Sequence, residues 1–375
     1  MPDSPRRSRL AGRLHTLARA LWGAVGRRRV APAMPASVLV AHNLLLGDSL
    51  MLAGLFKALR QRWPQARIIV TCAPAFLPLF AGRPWQVEAV AYDPRRPETL
   101  SGLFAACRSG VDLALLPGDN RHALLARACG ARWIRGLAGD EPGWKNALCD
   151  ELLPWPSQAT ALTEIFALLA GEGAASEYTA GDWPAPPAAP LSPPLPPRYA
   201  VLHVGAGNPL RCWPADNWRQ VADALAARGI TPLWSCGPGE QGLVAAADPA
   251  GRYAAEHAGR LDLAGMWQLL AGAALVVCLD SGIAHLAKLV GRPTVCIFGQ
   301  GSAELFGAGR FFARMPFVSL IETAMPCRDQ QQLFGRHLPW VRRCARRPPE
   351  CSDPLCIQAI TPEQVLRACS QFLED

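Results

Sequence analysis

The 375-residue sequence lacks three features that would place it in common classes of protein. No segment is long enough and free enough of charge to span a bilayer, although 50% of the residues are hydrophobic, so we expect no transmembrane helix. No two cysteines have the paired spacing of common zinc-binding motifs. No recognised nucleic-acid-binding module accompanies the basic residues, so nucleic acid is not an expected partner.

Positive charge is concentrated at the N-terminus. Residues 1–30 hold eight arginines and one aspartate, a net +7 out of the +8 of the whole chain. The apolar residues among those arginines recur at helical spacing, at Leu10, Leu14, Leu17, Leu21, Trp22 and Val25. We expect residues 1–36 to form a basic arm, either an amphipathic helix on an anionic membrane surface or a disordered leader. A cleaved targeting sequence is not expected, because no sufficiently long apolar run follows the arginines.

The thirteen cysteines fall into two groups. Most stand alone within apolar runs such as residues 69–72, where they behave as small buried hydrophobes and indicate a reducing compartment. Four others share a segment rich in proline and arginine, residues 326–357: Cys327, Cys344, Cys351 and Cys356. Four thiolates can close a tetrahedral structural zinc site, but the spacing favours free thiols or a disulfide.

A proline-rich stretch divides the chain into two halves. Eight prolines stand between Trp183 and Pro197, so we expect residues 181–198 to form an extended connector. On either side, short apolar segments alternate with helical ones, the pattern of α/β domains with parallel sheets. The predicted domains are residues 37–180 and 199–361, followed by a last helix over residues 362–375.

The clearest predicted elements in the first half are strands over residues 37–41, 67–72, 87–91 and 113–116 and helices over residues 49–62, 99–107 and 121–129. In the second half they are strands over residues 199–204, 231–235 and 276–279 and helices over residues 218–228 and 263–271.

Residues 276–301 read as strand, turn, helix, strand and glycine-rich loop without a break. With Ser281 as the helix N-cap, the amides of residues 282–284 and the positive end of the helix dipole form an anion site, and His285 adds a further donor. A second glycine-bearing turn, residues 298–301, follows the next strand, and neighbouring strands end at the same edge of a sheet. The pattern predicts a diphosphate site. The alternative is an ordinary strand-to-helix turn with a hydrogen-bonded histidine.

Three motifs in this order resemble those of the bacterial lipopolysaccharide heptosyltransferases, a family of glycosyltransferases. They are Leu46-Gly47-Asp48, Arg211-Cys212-Trp213-Pro214 and Asp280-Ser281-Gly282-Ile283-Ala284-His285. The resemblance extends from about residue 37 to the C-terminus. It implies the α/β architecture called GT-B, two Rossmann-like domains facing across a cleft, with ADP-heptose as the donor. By the same resemblance, the last helix is expected to cross back to the first domain, as it does in relatives.

The resemblance also implies a role for the loop that precedes the first helix. Asp48 becomes the general base that takes the proton of an acceptor hydroxyl in an inverting transfer. The alternative is that Asp48 caps the helix that follows it. Asn43 and Gly47 are candidate acceptor-binding residues on the same loop.

The leaving nucleoside diphosphate needs its charge neutralised by a metal ion or by protein cations. No Asp-x-Asp is present, so departure without metal is expected, with Arg211 as the cation where many relatives have lysine. By the resemblance, Asp280, Ser281, Gly282 and His285 complete the donor site.

Two further donor-binding residues are expected on the same comparison. Glu240 follows Gly237-Pro238-Gly239 and is placed to accept hydrogen bonds from ribose hydroxyls, although a plain turn is an equal alternative. Leu261 is expected to line the base pocket.

These observations predict an inverting, metal-independent glycosyltransferase that moves a heptose from ADP-heptose to a lipopolysaccharide core or a related glycan. It would need no cofactor and would work in the cytoplasm, peripheral to the inner-membrane surface. The alternatives are a transferase for another nucleotide sugar and a non-catalytic nucleotide-binding protein at the membrane.

Overall fold

The computed structural model describes residues 12, 16, 17, 19, 20, 30–171, 173 and 175–373. Most of the predicted basic arm, residues 1–36, therefore lies outside the described residues. The chain divides into two compact units. The first reaches Gln158 and also includes Thr163–Ser176 and Gln332–Pro339, and the second comprises Ala159–Leu162, Glu177–Gln331 and the residues from Trp340 onward.

The first unit is built on a parallel sheet. Its strands are Ser37–Val40 (β1), Arg67–Cys72 (β2), Val87–Ala91 (β3), Val111–Leu116 (β4), Ala131–Leu137 (β5) and Glu151–Leu153 (β6). They lie in the order β3-β2-β1-β4-β5-β6, and each neighbouring pair is parallel. The central strands β1 and β4 are almost wholly apolar and buried, as expected where helices cover both faces of a sheet.

The helices of this half of the chain are Leu46–Leu50 (α1), Ala53–Arg62 (α2), Thr99–Ala106 (α3), His122–Ala128 (α4) and Leu162–Ala167 (α5). Leu55 and Leu59 of α2 stand one turn apart and are fully buried. This spacing gives the helix an apolar face directed at the core.

The second unit is also built on a parallel sheet. Its strands are Tyr199–His203 (β7), Thr231–Ser235 (β8), Leu275–Leu279 (β9), Thr294–Phe298 (β10) and Phe317–Ile321 (β11). They lie in the order β11-β10-β9-β7-β8, again with each neighbouring pair parallel. The predicted α/β class with two Rossmann-like units is confirmed.

The helices of the second unit are Ala215–Ala227 (α6), Gln241–Ala247 (α7), Leu263–Ala271 (α8), Gly282–Val290 (α9), Ala303–Phe306 (α10), Leu355–Gln358 (α11) and Pro362–Leu373 (α12). The apolar face of α12 buries Val365, Ala368 and Cys369 in one core with Trp218 and Val221 of α6. The last helix thus packs within the second unit and differs from the predicted crossing to the first domain, because α6 and β10 already cover its apolar face.

The proline-rich connector forms neither helix nor strand over residues 181–198. It lies along the second unit, where Trp183 is 1% exposed and the carbonyl of Pro193 is 3.1 Å from Nε2 of His257. Proline cannot donate the backbone hydrogen bonds of regular structure, so this segment is held by a few contacts, the buried side chain of Trp183 and the carbonyl of Pro193 among them.

A hairpin from late in the sequence belongs to the first unit. Its strands are Gln332–Leu333 (β12) and Arg336–His337 (β13). Arg336 is 1% exposed and donates to the carbonyls of Gly118, Leu137 and Ala138 at 2.8 to 3.0 Å. Residues 332–339 therefore leave the range 199–361 predicted for the second domain, because a buried guanidinium ties them to the first sheet.

The described part of the basic arm packs on the first unit. The guanidinium of Arg19 lies 4.4 Å from the ring centroid of Phe104, and its Nε donates to the carbonyl of Ala128 at 3.2 Å. Ala20 is 5% exposed and joins the core around β4. None of the helices within the described residues is long and apolar enough to cross a membrane.

Candidate functional site

In the second sheet the order in which the chain adds strands reverses direction between β7 and β9. From β7 the chain moves outward to β8 and then returns to β9 on the other side of β7. The loops that follow β7 and β9 therefore leave the sheet side by side and continue in opposite directions. In open parallel sheets this switch point, at the carboxyl ends of the strands, is where ligands bind.

The loop after β9 is short and leads directly into α9. Ser281 is the N-cap, and its Oγ accepts from the amide of Ile283 at 3.4 Å. Its carbonyl accepts from the amide of Ala284 at 3.2 Å. Two of the three amides predicted to be free at residues 282–284 are thus used by Ser281. An incoming anion would meet the helix start chiefly through Gly282 and the positive end of the dipole.

His285 lies on the first turn of α9 and is 5% exposed. Its Nδ1 has no hydrogen-bond partner among the described residues. Burial lowers the pKa of its imidazole well below the usual 6.5, and the nearby charge of Lys288 lowers it further. The ring is therefore neutral at physiological pH and keeps an unused hydrogen-bonding atom in a buried position, which is costly unless a ligand occupies it.

Asp280 ends the strand and is 6% exposed. Burial raises the pKa of its carboxyl group above the usual 3.8, against the opposing charges of nearby cations, which are Arg211, Lys288, Arg343 and Arg328 in order of decreasing effect. Its Oδ2 accepts no hydrogen bond from any described residue. A Cβ on Gly301 would lie only 1.8 Å from this atom, so glycine is required there for the carboxylate to fit.

Arg211 comes to the same place from the loop after β7. It ends a short 3₁₀ turn, Pro209–Arg211, which Asn208 caps by accepting from the amide of Leu210 at 3.1 Å. Its Nη1 lies 3.4 Å from the carbonyl of Asp280, and its Nε is buried with no partner in the described part of the chain. The structure therefore places Arg211 beside Asp280, and His285 lies on the helix that begins directly after Asp280; their contacts with a nucleotide sugar stay predictions.

Two side chains at this site were not predicted. Gln300, in the glycine-rich loop after β10, is 3% exposed, and its Oε1 accepts from Nδ2 of Asn208 at 3.1 Å. Arg328 donates to the carbonyls of Gly299 and Gly301 and so fixes the same loop. A hydrogen bond between residues 92 positions apart leaves no local signal in the sequence.

Glu240 and Leu261 occupy less distinctive positions. The carboxylate of Glu240 accepts from the amides of Gly207 at 2.9 Å and Gly237 at 2.8 Å, which ties the loop after β7 to the loop after β8. The carboxylate of Glu240 also lies close to the backbone of Gly205. A Cβ at that position would lie 1.9 Å from Oε2, which explains why the residue there is glycine. Leu261 is half-buried directly before the N-cap of α8. Their contacts with a nucleotide stay predictions.

Asp48 lies in the first unit, in the first turn of α1, and is partly exposed. The N-cap of that helix is Leu45, which makes no side-chain capping bond, so the alternative that Asp48 caps a helix does not describe its position. The loop carrying it follows β1, which lies beside β4 at the switch point of the first sheet. Asn43 is exposed and Gly47 is partly exposed on the same loop.

His42 holds the start of this loop. Its backbone amide donates to Oγ1 of Thr71 at 2.7 Å, and its Nδ1 accepts from the amide of Leu44 at 3.1 Å. Burial lowers the pKa of the ring to about 3, with a smaller contribution from His122, so His42 is neutral at physiological pH. These contacts favour a structural role in shaping the loop before Asp48.

The cysteines form no metal site in the described structure. All thirteen are free. Residues 30–171 and 175–373 contain no group of three or more histidine, cysteine, aspartate or glutamate side chains that could hold a metal ion. The favoured prediction for Cys327, Cys344, Cys351 and Cys356 was free thiols or a disulfide, and the structure has them as free thiols, while the alternative of a structural zinc gains no support from the described residues. Cys344 instead packs with its Sγ 3.9 Å from Nε2 of Gln300.

Comparisons with known proteins identify the family of the chain. The model of glycosyltransferase family 9 (heptosyltransferase) matches residues 113–337, more than half of the chain. The chain is 31% identical over 182 residues to lipopolysaccharide heptosyltransferase 1 of Pseudomonas aeruginosa, a match covering 44% of this chain and 46% of that protein. It is 29% identical over 127 residues to lipopolysaccharide heptosyltransferase 1 of Escherichia coli, covering 33% and 40%. The matched regions span less than half the length of these relatives.

Two solved structures have a similar fold. A glycosyltransferase family 9 protein from Veillonella parvula superimposes with a TM-score of 0.70 at 15% identity, covering 90% of this chain and 97% of that one. The Escherichia coli heptosyltransferase WaaC, solved with ADP, gives a TM-score of 0.64 at 17% identity, covering 90% and 99%. At these identities the likeness shows the fold, and it confirms the predicted GT-B class.

Proposed function

Because the chain belongs to glycosyltransferase family 9, the heptosyltransferase family, we propose that it transfers a heptose from ADP-heptose to a lipopolysaccharide core or a related glycan. The observation that carries this proposal is the set of buried, unsatisfied polar atoms at the switch point of the second sheet: Oδ2 of Asp280, Nδ1 of His285 and Nε of Arg211. Buried polar groups without partners are rare in folded proteins unless a ligand supplies them.

The proposed chemistry is a single displacement with inversion at the anomeric carbon. Asp48 takes the proton of the acceptor hydroxyl as the oxygen attacks, and the bond from the anomeric carbon to the diphosphate breaks. The departing diphosphate gains negative charge, which Arg211 and the start of α9 stabilise. Support for this donor comes from relatives solved with ADP and with ADP-2-deoxy-2-fluoro heptose.

The donor is tested by calorimetry with ADP, ADP-heptose and a panel of UDP- and GDP-sugars. We expect selective binding of ADP-heptose, weakened about tenfold or more in His285→Ala because one hydrogen bond to a charged group is lost. Selective binding of another nucleotide sugar would change the substrate and keep the enzyme class. Binding of nucleotide without transfer to any glycan would favour the non-catalytic alternative.

The general base is tested by Asp48→Asn, which keeps the shape of the side chain and removes its basicity. We expect transfer to fall by about 10²- to 10⁴-fold with little change in ADP-heptose affinity. Asp216→Asn is the matched control, because Asp216 is an exposed carboxylate paired with Arg219, and it should transfer normally. Full transfer activity in Asp48→Asn would rule out this mechanism.

We also infer that the enzyme works in the cytoplasm, bound peripherally to the inner membrane. The basic composition of residues 1–36 supports this location, although Arg19 already contacts Phe104 and is not fully available to a membrane. Co-sedimentation of the full chain with vesicles containing anionic lipid should fall steeply with added salt. A chain that ignores such vesicles at low salt would contradict the peripheral location.

A further inference from the structure

Two side-chain amides join the loops on either side of β9. In the second sheet β9 lies between β10 and β7, and Asp280 follows it directly. Asn208, in the loop after β7, donates from Nδ2 to Oε1 of Gln300, in the loop after β10, at 3.1 Å. This hydrogen bond therefore connects the two loops that flank the strand leading to Asp280 and the start of α9.

Asn208 also shapes the turn that carries Arg211. Its Oδ1 accepts from the amide of Leu210 at 3.1 Å, and its carbonyl accepts from the amide of Arg211 at 2.9 Å. Pro209 lies between them, and its ring fixes φ and restricts the turn further. The backbone from which the Arg211 side chain extends toward the carbonyl of Asp280 is thus held by Asn208.

Gln300 is held on its other side by residues 344–346 of the segment rich in proline and arginine. Its Nε2 donates to the carbonyl of Arg346 at 2.8 Å, and its backbone carbonyl accepts from the amide of Cys344 at 2.9 Å. The guanidinium of Arg346 is paired with Asp329 at 2.7 Å, so this part of the segment is itself anchored. The Gln300 side chain is buried, and both ends of its amide have partners in the protein.

These hydrogen bonds fix the orientation of both amides. A flipped Asn208 would turn its NH₂ group toward the amide of Leu210, and a flipped Gln300 would turn its oxygen toward the carbonyl of Arg346. Neither flipped form can make a hydrogen bond there, because a donor would face a donor and an acceptor would face an acceptor. The pair therefore has one arrangement, with each group donating to the next from Leu210 to Arg346.

The connection between the two loops carries no net charge. Asp280 and Arg211 are ionisable groups in a mostly buried region, and a bound diphosphate would add negative charge beside them. A charged pair in place of the two amides would act on the diphosphate through the low dielectric of this region. Amides hold the loops together and leave the electrostatic attraction of the diphosphate to Arg211 and the start of α9.

We infer that Asn208 and Gln300 are positioning residues of the donor site that hold Arg211 where it meets the diphosphate, an inference that rests on the proposed function for the role of Arg211. Residues 344–346 hold Gln300 in place, Gln300 holds Asn208, and Asn208 holds the turn of Arg211. The segment of residues 326–357 thus contributes to donor binding through the backbone groups that it supplies to Gln300.

The test compares Asn208→Ser and Gln300→Ala with two matched controls in the full chain. Serine keeps an oxygen that can cap the turn Pro209–Arg211, and its side chain is too short to reach Gln300. The controls are Asn217→Ser, in the first turn of α6, and Gln220→Ala, at an exposed position on the same helix.

Binding of ADP, inorganic pyrophosphate and adenosine is measured by calorimetry. We expect Asn208→Ser and Gln300→Ala to weaken ADP and pyrophosphate by about 3- to 10-fold, which corresponds to the loss of one neutral hydrogen bond. Adenosine affinity should stay unchanged, because adenosine has no diphosphate for Arg211 to bind. Both controls should bind all three compounds as the wild type does. Unchanged affinity for ADP and pyrophosphate in Asn208→Ser would overturn the inference, also where Gln300→Ala does not fold.

A second comparison shows whether the pair acts through Arg211. In an Arg211→Ala background, where ADP still binds through its adenosine part, adding Asn208→Ser should change ADP affinity by less than about twofold. Thermal unfolding of Asn208→Ser without ligand should match that of the wild type, since the cap is kept. If Asn208→Ser weakens ADP equally in the wild-type and Arg211→Ala backgrounds, the pair does not act by positioning Arg211 and the inference is wrong.

The outcomes distinguish this inference from the proposed function. If Arg211→Ala weakens ADP and Asn208→Ser does not, the inference alone fails. If the wild type prefers UDP or GDP, and both substitutions weaken that nucleotide, the inference stands and the ADP-heptose proposal fails. A wild-type protein that binds no nucleoside diphosphate, or whose affinity is unchanged in Arg211→Ala, would overturn the inference together with the donor site on which it rests.

Discussion

Two buried aspartates near the carboxyl ends of the two sheets have opposite surroundings. Asp140, after β5 in the first unit, is fully buried and accepts from the amide of Asn120 at 2.7 Å, from Nζ of Lys145 at 2.9 Å and from Nη2 of Arg336 at 3.4 Å. Asp280, after β9 in the second unit, is nearly as buried, yet its Oδ2 accepts nothing from the described residues.

The difference separates a structural carboxylate from one at a binding site. Asp140 has the hydrogen bonds and cations that a buried charge needs, so its role is complete within the protein. Asp280 faces cations from several loops without a hydrogen bond to Oδ2, and the histidine one turn later also lacks a partner at Nδ1. A buried polar atom without a partner lowers the stability of the protein, but it remains available to bind a ligand.

Removing the Asp140 carboxylate should have the largest effect on stability. Asp140→Ala leaves the buried guanidinium of Arg336 without its carboxylate and leaves half-buried Lys145 with Asp119 alone, which should lower the free energy of unfolding by about 3–5 kcal/mol in urea titration. Glu98→Ala is the control in the same unit, because the Arg96–Glu98 pair is exposed and screened by solvent, so its loss should leave the free energy of unfolding almost unchanged. Equal effects of the two substitutions would show that the Asp140 cluster is not structural.

Filling the space beside Asp280 should have the next largest effect. Gly301→Ala places a Cβ against Oδ2 of Asp280, and relieving that overlap should cost about 1–3 kcal/mol of unfolding free energy and weaken ADP binding. Gly242→Ala is the control, since a Cβ there meets nothing within 4 Å, and it should stabilise the protein by about 0.4–1 kcal/mol. A neutral Gly301→Ala would mean that the Asp280 carboxylate is not held in place.

Neutralising Asp280 should change the free energy of unfolding less than removing Asp140 does, and in the opposite direction. Burial raises the pKa of Asp280 above 3.8, so the folded protein binds a proton here more tightly than the unfolded chain does. Asp280→Asn should therefore be the more stable protein at neutral pH, and its advantage should shrink as the pH falls through the raised pKa toward 3.8. The measurement is urea unfolding of both proteins across this pH range. A wild type that lost stability relative to Asp280→Asn on acidification would contradict the prediction.

The smallest expected effect is the pH response of His285. Because burial holds the pKa of the ring well below 6.5, His285 does not titrate between about pH 6 and pH 8. The ratio of ADP affinity between the wild type and His285→Ala should thus be constant over that range in calorimetry. A ratio that grew on acidification would show that the histidine binds the diphosphate as a cation.

Elements with strong local patterns were predictable from the sequence. The ranges of β2, β3, β8 and α8 were predicted to the residue, since each is a compact apolar run between turn residues. Strands β5 and β11 were missed. Arg132, Trp133 and Arg135 interrupt the apolar pattern of β5, and β11 is a half-exposed edge strand, so neither has the continuous apolar run of a central strand.

The contacts at the site also differ in whether the sequence could predict them. Ser281 and His285 lie on one short turn, and their relation follows from the helix they begin. The contacts of Gln300 with Asn208 and of Arg336 with Gly118 join residues far apart in the sequence, and they depend on how the strands are ordered in each sheet. Tertiary pairing of this kind leaves no periodicity to read, which is why the hairpin of residues 332–339 was assigned to the wrong half.

That hairpin also affects how the protein is made. A ribosome completes the strands of the first sheet long before it reaches residue 336, and until then Asp140 lacks the buried guanidinium of Arg336 that it contacts in the finished fold. The first unit therefore cannot reach its final stability during synthesis of its own half of the chain. Its maturation depends on translation as far as the hairpin of residues 332–339, and a gene fragment cut at the proline-rich connector would encode an unfinished domain.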